Sequence, residues 1–379
     1  MPQRKLGVDV FEETIDRIYW LYKQGHKVVV SFSGGKDSGA MLELTKLAAE
    51  KAGELPVEVV MRDEEIMFPG TFEYAERVYD DPDVNLNWLI AGQPVVNAFS
   101  REKPFFWVFD QLLEPEEWVR QPPEYAEWIP DLFIEKLVTP ERFPPKPGGD
   151  VVVLIGVRVD ESLSRRMSVA SAGGFLTQKN KWGYRKAKPM YDWKEGDIWK
   201  AHHDYGWDYN KAYDKMFQMG VPAYKRRIAP PTLIPSGIDN LGFALKAWPK
   251  WFARVERRLP GLRTAAQFGR RAVEPIRRSD ETWEECFHRT CIDEAPDWIA
   301  ERATKARDLI VARHARHSSS PFPQVKDCIR CGYFSWRRLA KSLYMGDPFS
   351  LLFKQLPEVE PEYFRPGAGT WEGGTPSFG

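Results

Sequence analysis

The sequence predicts a doubly wound parallel α/β sheet followed by a smaller, mainly helical C-terminal domain. Three observations carry that prediction. Short β-branched runs such as Lys27–Phe32, Pro56–Met61 and Val151–Gly156 alternate with segments of helical period. The first run ends in two glycines and passes directly into a strong helix former, a strand–loop–helix junction. Beyond Pro230-Pro231, periodic apolar and basic stretches take over, at 243–259 and 298–314.

Taken in order, residues 9–24 carry Phe11, Ile15, Ile18 and Tyr22 at helical spacing, with Gly25 as the stop. Strand one follows at 27–32, and the next helix runs to about Lys51, closed by Gly53. Strand two, 56–61, delivers Arg62-Asp63-Glu64-Glu65 to the carboxyl edge of the sheet, where open α/β folds bind ligands. Asp63 there either touches a ligand or caps the chain that follows. A helix beginning near Phe68-Pro69-Gly70-Thr71 and a strand over 85–90 come next.

Residues 99–150 are rich in Trp, Pro and Glu and read as an insertion, either a roof over the site or scaffold. Val151–Gly156 is the clearest buried strand. It leads into Val157-Arg158-Val159-Asp160-Glu161-Ser162-Leu163-Ser164-Arg165-Arg166. Arginines placed past a strand end clamp phosphate or sulfate oxygens, or else pair with Asp160 and Glu161; the clamp is the reading adopted. Pro230-Pro231, Pro235 and Gly237 mark a linker, giving domains at 1–230 and 231–379.

The junction after strand one holds the most chemistry. Ser33-Gly34-Gly35-Lys36-Asp37-Ser38 places two glycines, two hydroxyls and a lysine where a helix begins. Unpaired N–H groups and the positive end of the helix dipole favour a phosphate at that point. The glycines let the backbone approach an anion closely. Asp37 fits such a site as a holder of Mg²⁺ or as an orienter of the nucleophile. Neither G-x-x-x-x-G-K-[ST] nor G-x-G-x-x-G is present.

This hexapeptide resembles the PP-loop of the adenine-nucleotide α-hydrolase superfamily, a Rossmann-like (HUP-type) fold. Three further landmarks are similar to the PAPS reductase-like branch, including its phage, mobile-element and phosphorothioation-type members. They are Asp63 with Phe68-Pro69 and Thr71, the Gly156-x-Arg158-x-x-Glu161-Ser162-x-x-Arg165 pattern, and Lys188–Trp193 followed by Asp197, Trp199, Asn210 and Tyr213. The resemblance covers about residues 27–228. It implies ATP or PAPS with Mg²⁺, bound by Ser31, Ser33, Gly34, Gly35, Lys36, Asp37, Ser38, Asp63 and Arg166. Lys36, Asp37, Arg158 and Arg165 are the implied catalytic group.

All four cysteines lie in the second part, as Cys286-x₄-Cys291 and Cys328-x₂-Cys331. Two close pairs suit one tetrahedral Zn²⁺ site or a [4Fe–4S] cluster, and spacing does not separate these. A redox-active Cys328–Cys331 pair is the alternative. His288, His314 and His317 are possible substitutes for a ligand. Sulfur-transfer members of the superfamily, whose resemblance implies a four-cysteine cluster, favour iron–sulfur.

Composition sets the remaining limits. Hydrophobic content of 43% and charged content of 28% describe a soluble globular protein, and fifteen tryptophans favour aromatic-rich cores. Net charge is zero, yet residues 225–341 hold 24 Lys+Arg against 13 Asp+Glu. That bias suits a polyanion such as nucleic acid, or a solvated helical surface. The start, Met1–Leu6, has no apolar signal core, and no run reaches membrane length, so a cytoplasmic protein with no membrane partner is the expectation.

Three functions follow as expectations. The leading one is an ATP pyrophosphatase-type enzyme that adenylylates an acceptor and releases pyrophosphate, in sulfur transfer to or modification of nucleic acid, with a sulfur-donor protein as partner. The second is a PAPS or adenylylsulfate reductase, against which stands a chain ending Gly373-Gly374-Thr375-Pro376-Ser377-Phe378-Gly379, without the Glu-Cys-Gly-Leu-His tail of reductases proper. The third is a nucleotide-sensing, DNA-binding regulator, sometimes beside a ParB-like partner.

Overall fold

The computed structural model describes residues 7, 9–130, 137–231 and 236–365. The readings placed on Met1–Leu6, on Pro235 and on Gly373–Gly379 lie outside the described residues. Two compact units emerge: residues 1–93 with 109–230, and residues 94–108 with 231–379.

The first unit is built on a six-stranded sheet of order β6-β3-β2-β1-β7-β8, parallel throughout. Its strands are β1 (Lys27–Phe32), β2 (Val57–Arg62), β3 (Val84–Ile90), β6 (Glu127–Trp128), β7 (Val151–Leu154) and β8 (Tyr184–Ala187). Val28, Val29, Val30, Val59, Val60 and all four residues of β7 are buried. A parallel sheet covered on both faces demands such unbroken apolar runs.

Helix α1 (Val10–Lys23) opens where the Asp9 carboxylate accepts from Phe11 N, with Glu12 and Glu13 in the positive first turn. Helix α2 (Lys36–Ala52) ends at Gly53, whose φ of 72° supplies the left-handed cap. Helix α3 (Pro69–Tyr79) starts with proline at the position where a missing N–H costs nothing. Helices α4 (Leu163–Ala170), α5 (Glu195–Asp204) and α6 (Ala212–Gln218) follow β7 and β8. Arg17 of α1 ties the far end of this segment down, donating to both carboxylate oxygens of Asp192 and to Pro189 O.

From β1 the chain winds outward through β2 and β3, then returns to place β7 on the other side of β1. The order therefore reverses between β1 and β7. In open α/β sheets a crevice forms outside the carboxyl ends of the two strands at such a reversal.

The second unit holds α7 (Ser236–Ala247), α8 (Pro249–Arg258), α9 (Leu262–Phe268), α10 (Trp283–His288), α11 (Asp297–His317) and α12 (Trp336–Leu343). The periodic stretch 243–259 falls in two helices, as expected of a helical domain. Pro249 has no N–H to continue the first and so begins the second. The small sheet of β4 (Gln93–Val96) and β5 (Phe105–Val108) accompanies these helices.

The region read as a single insertion, 99–150, is therefore divided between the units. Phe105 and Trp107 are buried with Trp298, Ile299 and Val359 in one apolar cluster, which assigns β5 to the helical unit. The remainder is pinned to the sheet by Glu65. This carboxylate is fully buried and accepts from Phe109 N at 2.5 Å and Val119 N at 2.7 Å. A second cluster, Phe287, Ile310, Phe322, Trp336, Leu339 and Leu343, surrounds Cys291 and Cys331.

Candidate functional site

The β1–α2 turn is held by its own side chains before anything binds. Gly34 has a φ of 68°, and a Cβ there would stand 2.5 Å from Thr71 Cγ2, so the position needs glycine on two grounds. Ser38 Oγ donates to Gly35 O at 3.0 Å and accepts from Ser33 N at 3.2 Å. Asn210 is fully buried and donates to Gly34 O at 2.9 Å and Thr71 Oγ1 at 3.1 Å. Lys36 N donates to the Tyr213 hydroxyl at 3.1 Å, and His202 Nε2 lies 3.1 Å from Lys36 O. Asn210 and Tyr213, landmarks of the resemblance in the sequence, are thus braces of the loop.

On the other side of the reversal, Gly156 follows β7. A Cβ there would lie 2.8 Å from Asp37 O, so glycine lets this chain press against the head of α2. The two segments enclose a cavity of about 390 Å³. Ser31, Ser33, Gly35, Lys36, Asp37 and Ser38 line it from the β1 side, and Ile155–Arg158, Asp160, Glu161 and Arg165 from the β7 side. Glu195, Tyr213, Tyr224, Arg226 and Arg227 complete the wall.

The charges inside are arranged in a chain. Lys36 is only 4% exposed; its Nζ stands 3.3 Å from Asp37 Oδ2 and 3.5 Å from Glu195 Oε1. Asp37 also accepts from Arg158 Nε, and Arg158 Nη2 reaches Glu161 Oε1 at 3.1 Å. Arg165 pairs with the other Glu161 oxygen. Burial holds the Arg165 guanidinium below the usual arginine range, against the opposing pull of Asp37. Burial also raises the Tyr213 phenol well above its ordinary value and lowers His202. The alternative set against the clamp, pairing with carboxylates, is therefore what Arg158 and Arg165 do here.

Three residues of the nucleotide set, Gly34, Asp63 and Arg166, are not in the cavity wall. Asp63 is fully buried and accepts from Trp88 Nε1 at 2.8 Å, from Glu65 N at 2.8 Å and from Arg120. It is a cap and a brace. Arg166 is not part of the lining, whereas its neighbour Arg165 is. No residue of 99–150 lines the cavity, so that stretch is not its roof among the described residues. Glu195, Arg226 and Arg227 escaped sequence reading because single charged residues outside a motif look like any solvated surface.

The cysteines are only partly gathered. A ring nitrogen of His314 and the Cys328 and Cys331 sulfurs lie within 4.8 Å of one another. Among the described residues this is the one such group, and Cys286 and Cys291 are not in it. Cys291 Sγ instead faces Ala340 O at 3.5 Å, and burial pushes its thiol up to about 12. The backbone N–H of Cys331 holds the Cys328 thiol down at about 7. No helix among the described residues is long and apolar enough to cross a membrane.

The chain is 33% identical over 248 residues to "Uncharacterized protein YbdN" of Escherichia coli (strain K12), covering 60% of this chain. It spans 59% of that curated relative's length. Among solved structures, Candida glabrata FMN adenylyltransferase in complex with ATP is similar at a TM-score of 0.34 and 12% identity, covering 54% of this chain and 57% of that one. The phosphoadenylyl-sulfate (PAPS) reductase of Candida auris gives 0.31 and 16%, covering 56% and 86%. The U34-tRNA thiolase NcsA of Methanococcus maripaludis, with its [4Fe–4S] cluster, gives 0.33 and 13%, covering 68% and 79%. The phosphoadenosine phosphosulfate reductase domain matches residues 27–220, just over half of the 379, and includes β1, the turn at α2, β7 and the arginines beyond it. The chain belongs to that family.

Proposed function

We propose that the first unit is an adenylylating enzyme of the ATP pyrophosphatase type. The observation that carries this reading is the convergence, in one cavity at the strand-order reversal, of the head of α2 with Lys36, Arg158 and Arg165. A polyphosphate tail supplies what those groups lack, a multivalent anion that accepts amide N–H and guanidinium donors together.

In the proposed reaction an acceptor atom attacks the α-phosphorus of ATP. The acceptor–phosphorus bond forms, the bond from that phosphorus to the bridging oxygen breaks, and pyrophosphate leaves with the electron pair. Lys36 meets the charge gathering on the leaving phosphates. Arg158 and Arg165 exchange Glu161 for phosphate oxygens, held ready by the pairings that now orient them. Asp37 and Glu195 offer the hard carboxylate oxygens that Mg²⁺ takes, both beside Lys36, and are the residues that would hold it. The ion neutralises phosphate charge when bound. Sulfur delivery to a nucleic acid is the downstream use we assign, supported by the basic surplus over 225–341.

Of the four thiols that a [4Fe–4S] cluster would take, Cys328 and Cys331 lie together beside His314, within 4.8 Å. A second reading, reduction of PAPS, has the family match in its favour. Purified protein supplied with ATP, Mg²⁺ and nucleic acid should release pyrophosphate. With PAPS and reduced thioredoxin it should release no sulfite. Sulfite from PAPS without pyrophosphate from ATP exchanges the two readings. Salt-sensitive DNA binding without cleavage of either nucleotide would leave a regulator.

A further inference from the structure

We propose that the second unit holds one zinc ion on His314, Cys328 and Cys331. This rests on that unit's geometry alone and stands or falls separately from the nucleotide reading.

The two cysteines sit in a tight knuckle. Cys328 N donates to Phe334 O at 2.8 Å, and Tyr333 N donates back to Cys328 O at 2.8 Å. Gly332 has a φ of 92° and Tyr333 of 65°, so the chain reverses over two left-handed residues. Both sulfurs end on one side of the turn, together with the histidine ring.

The independent observation is on His314, near the end of α11. The residue is 5% exposed, and its Nε2 stands 2.9 Å from Ser320 O. A carbonyl oxygen only accepts, so Nε2 carries the hydrogen and Nδ1 keeps a lone pair. That Nδ1 is buried and makes no hydrogen bond of normal geometry, with the Cys328 thiol standing beside the ring. An unpaired buried acceptor costs about 1–3 kcal/mol. A metal ion relieves that cost, and a carbonyl on the other ring nitrogen is how metal-bound histidines are oriented.

Ligand chemistry selects the ion. Two sulfurs and an imidazole suit Zn²⁺ and offer Mg²⁺ or Ca²⁺ no hard oxygen. With both thiols ionised, the zinc centre is neutral, which suits walls made by Phe322, Trp336 and Leu339. Bonds of about 2.0–2.3 Å place tetrahedral ligand atoms roughly 3.6–3.8 Å apart, so a group lying within 4.8 Å closes by a shift of at most about 1 Å. Ile329 is 71% exposed and Tyr333 56%, so the knuckle reaches solvent, and water takes the fourth position.

The test is metal content of the full chain, purified without added metal and then reconstituted with Zn²⁺. One zinc per chain is expected, retained in Cys286→Ala and Cys291→Ala and lost in His314→Ala, Cys328→Ser and Cys331→Ser. Co²⁺ replacement in the unaltered protein guards against variants that fail to fold. It should give a tetrahedral spectrum with the sulfur charge-transfer intensity of two thiolates, unchanged in Cys286→Ala and Cys291→Ala. Four irons with acid-labile sulfide, four-thiolate intensity, zinc lost with Cys286 or Cys291, or no bound metal would each overturn the proposal.

Discussion

Two short turns, one in each unit, reverse the chain over a left-handed glycine and present opposite chemistry. At Gly34, with a φ of 68°, the turn opens a helix and offers N–H groups, Lys36 and arginines to an anion. At Gly332, with a φ of 92°, the turn offers sulfur and nitrogen lone pairs to a cation. The first is assembled by a sheet, because β1 and β7 lie side by side and each ends in a loop that lines the cavity. The second is assembled by a helix end meeting a hairpin-like knuckle. A site carried by adjacent strands leaves a contiguous motif in the sequence; one completed by a distant helix leaves only half of its signature.

The largest effect that could break this contrast is on Lys36. Lys36→Ala should lower pyrophosphate release about 10²–10³-fold, the usual cost of losing one preorganised charge-stabilising group, with circular dichroism unchanged. Near-normal turnover would remove the anion-binding role of the first turn.

The glycines give the next comparison. Gly332→Ala meets no atom closer than 3.6 Å and should cost only the ~1–2 kcal/mol of a left-handed alanine. Gly34→Ala adds a clash with Thr71 Cγ2 at 2.5 Å and should cost more. Adding Thr71→Ser, which removes that methyl, should recover part of the difference. Urea unfolding followed in each unit measures both; equal costs would show that the first turn has slack.

Tyr213→Phe strips the acceptor from buried Lys36 N and should destabilise the first unit by about 1–3 kcal/mol. The smallest expected effect concerns His202. Burial lowers its pKa below the ordinary 6.5, so the unfolded chain takes up a proton first as pH falls. Its contribution to stability is complete above about 6.5 and is lost as pH falls toward the folded-state value. In His202→Gln that part of the acid loss should vanish. An unchanged stability–pH curve would mean that another group governs it.

Much of the fold was legible because the central strands are buried on both faces and have to be apolar without interruption. Val28–Val30 and Val151–Val153 carry that mark plainly. β8, Tyr184–Ala187, does not: it lies at the sheet edge, where Arg185 and Lys186 are only half-buried and the charged pair hides the strand. The loop motif pointed to Lys36 and Asp37 and the pattern after β7 to Arg158 and Arg165, and all four line the cavity, yet Glu161 was seen as a competitor rather than a holder of the arginines. Asp63 could not be placed, since a carboxylate at a strand end caps as readily as it binds. His314 was one of three histidines with equal claims; its nearness to the Cys328 and Cys331 sulfurs and its bond to Ser320 O set it apart, and neither shows in the sequence.

The central claim is that the head of α2 grips a nucleotide by its phosphate tail, and ligand-induced stabilisation tests it most directly. Thermal unfolding of the full chain should shift upward with ATP in a concentration-dependent way, far less with AMP, and with neither in Lys36→Ala. Equal shifts with ATP and AMP, or an ATP shift that survives Lys36→Ala, would contradict it.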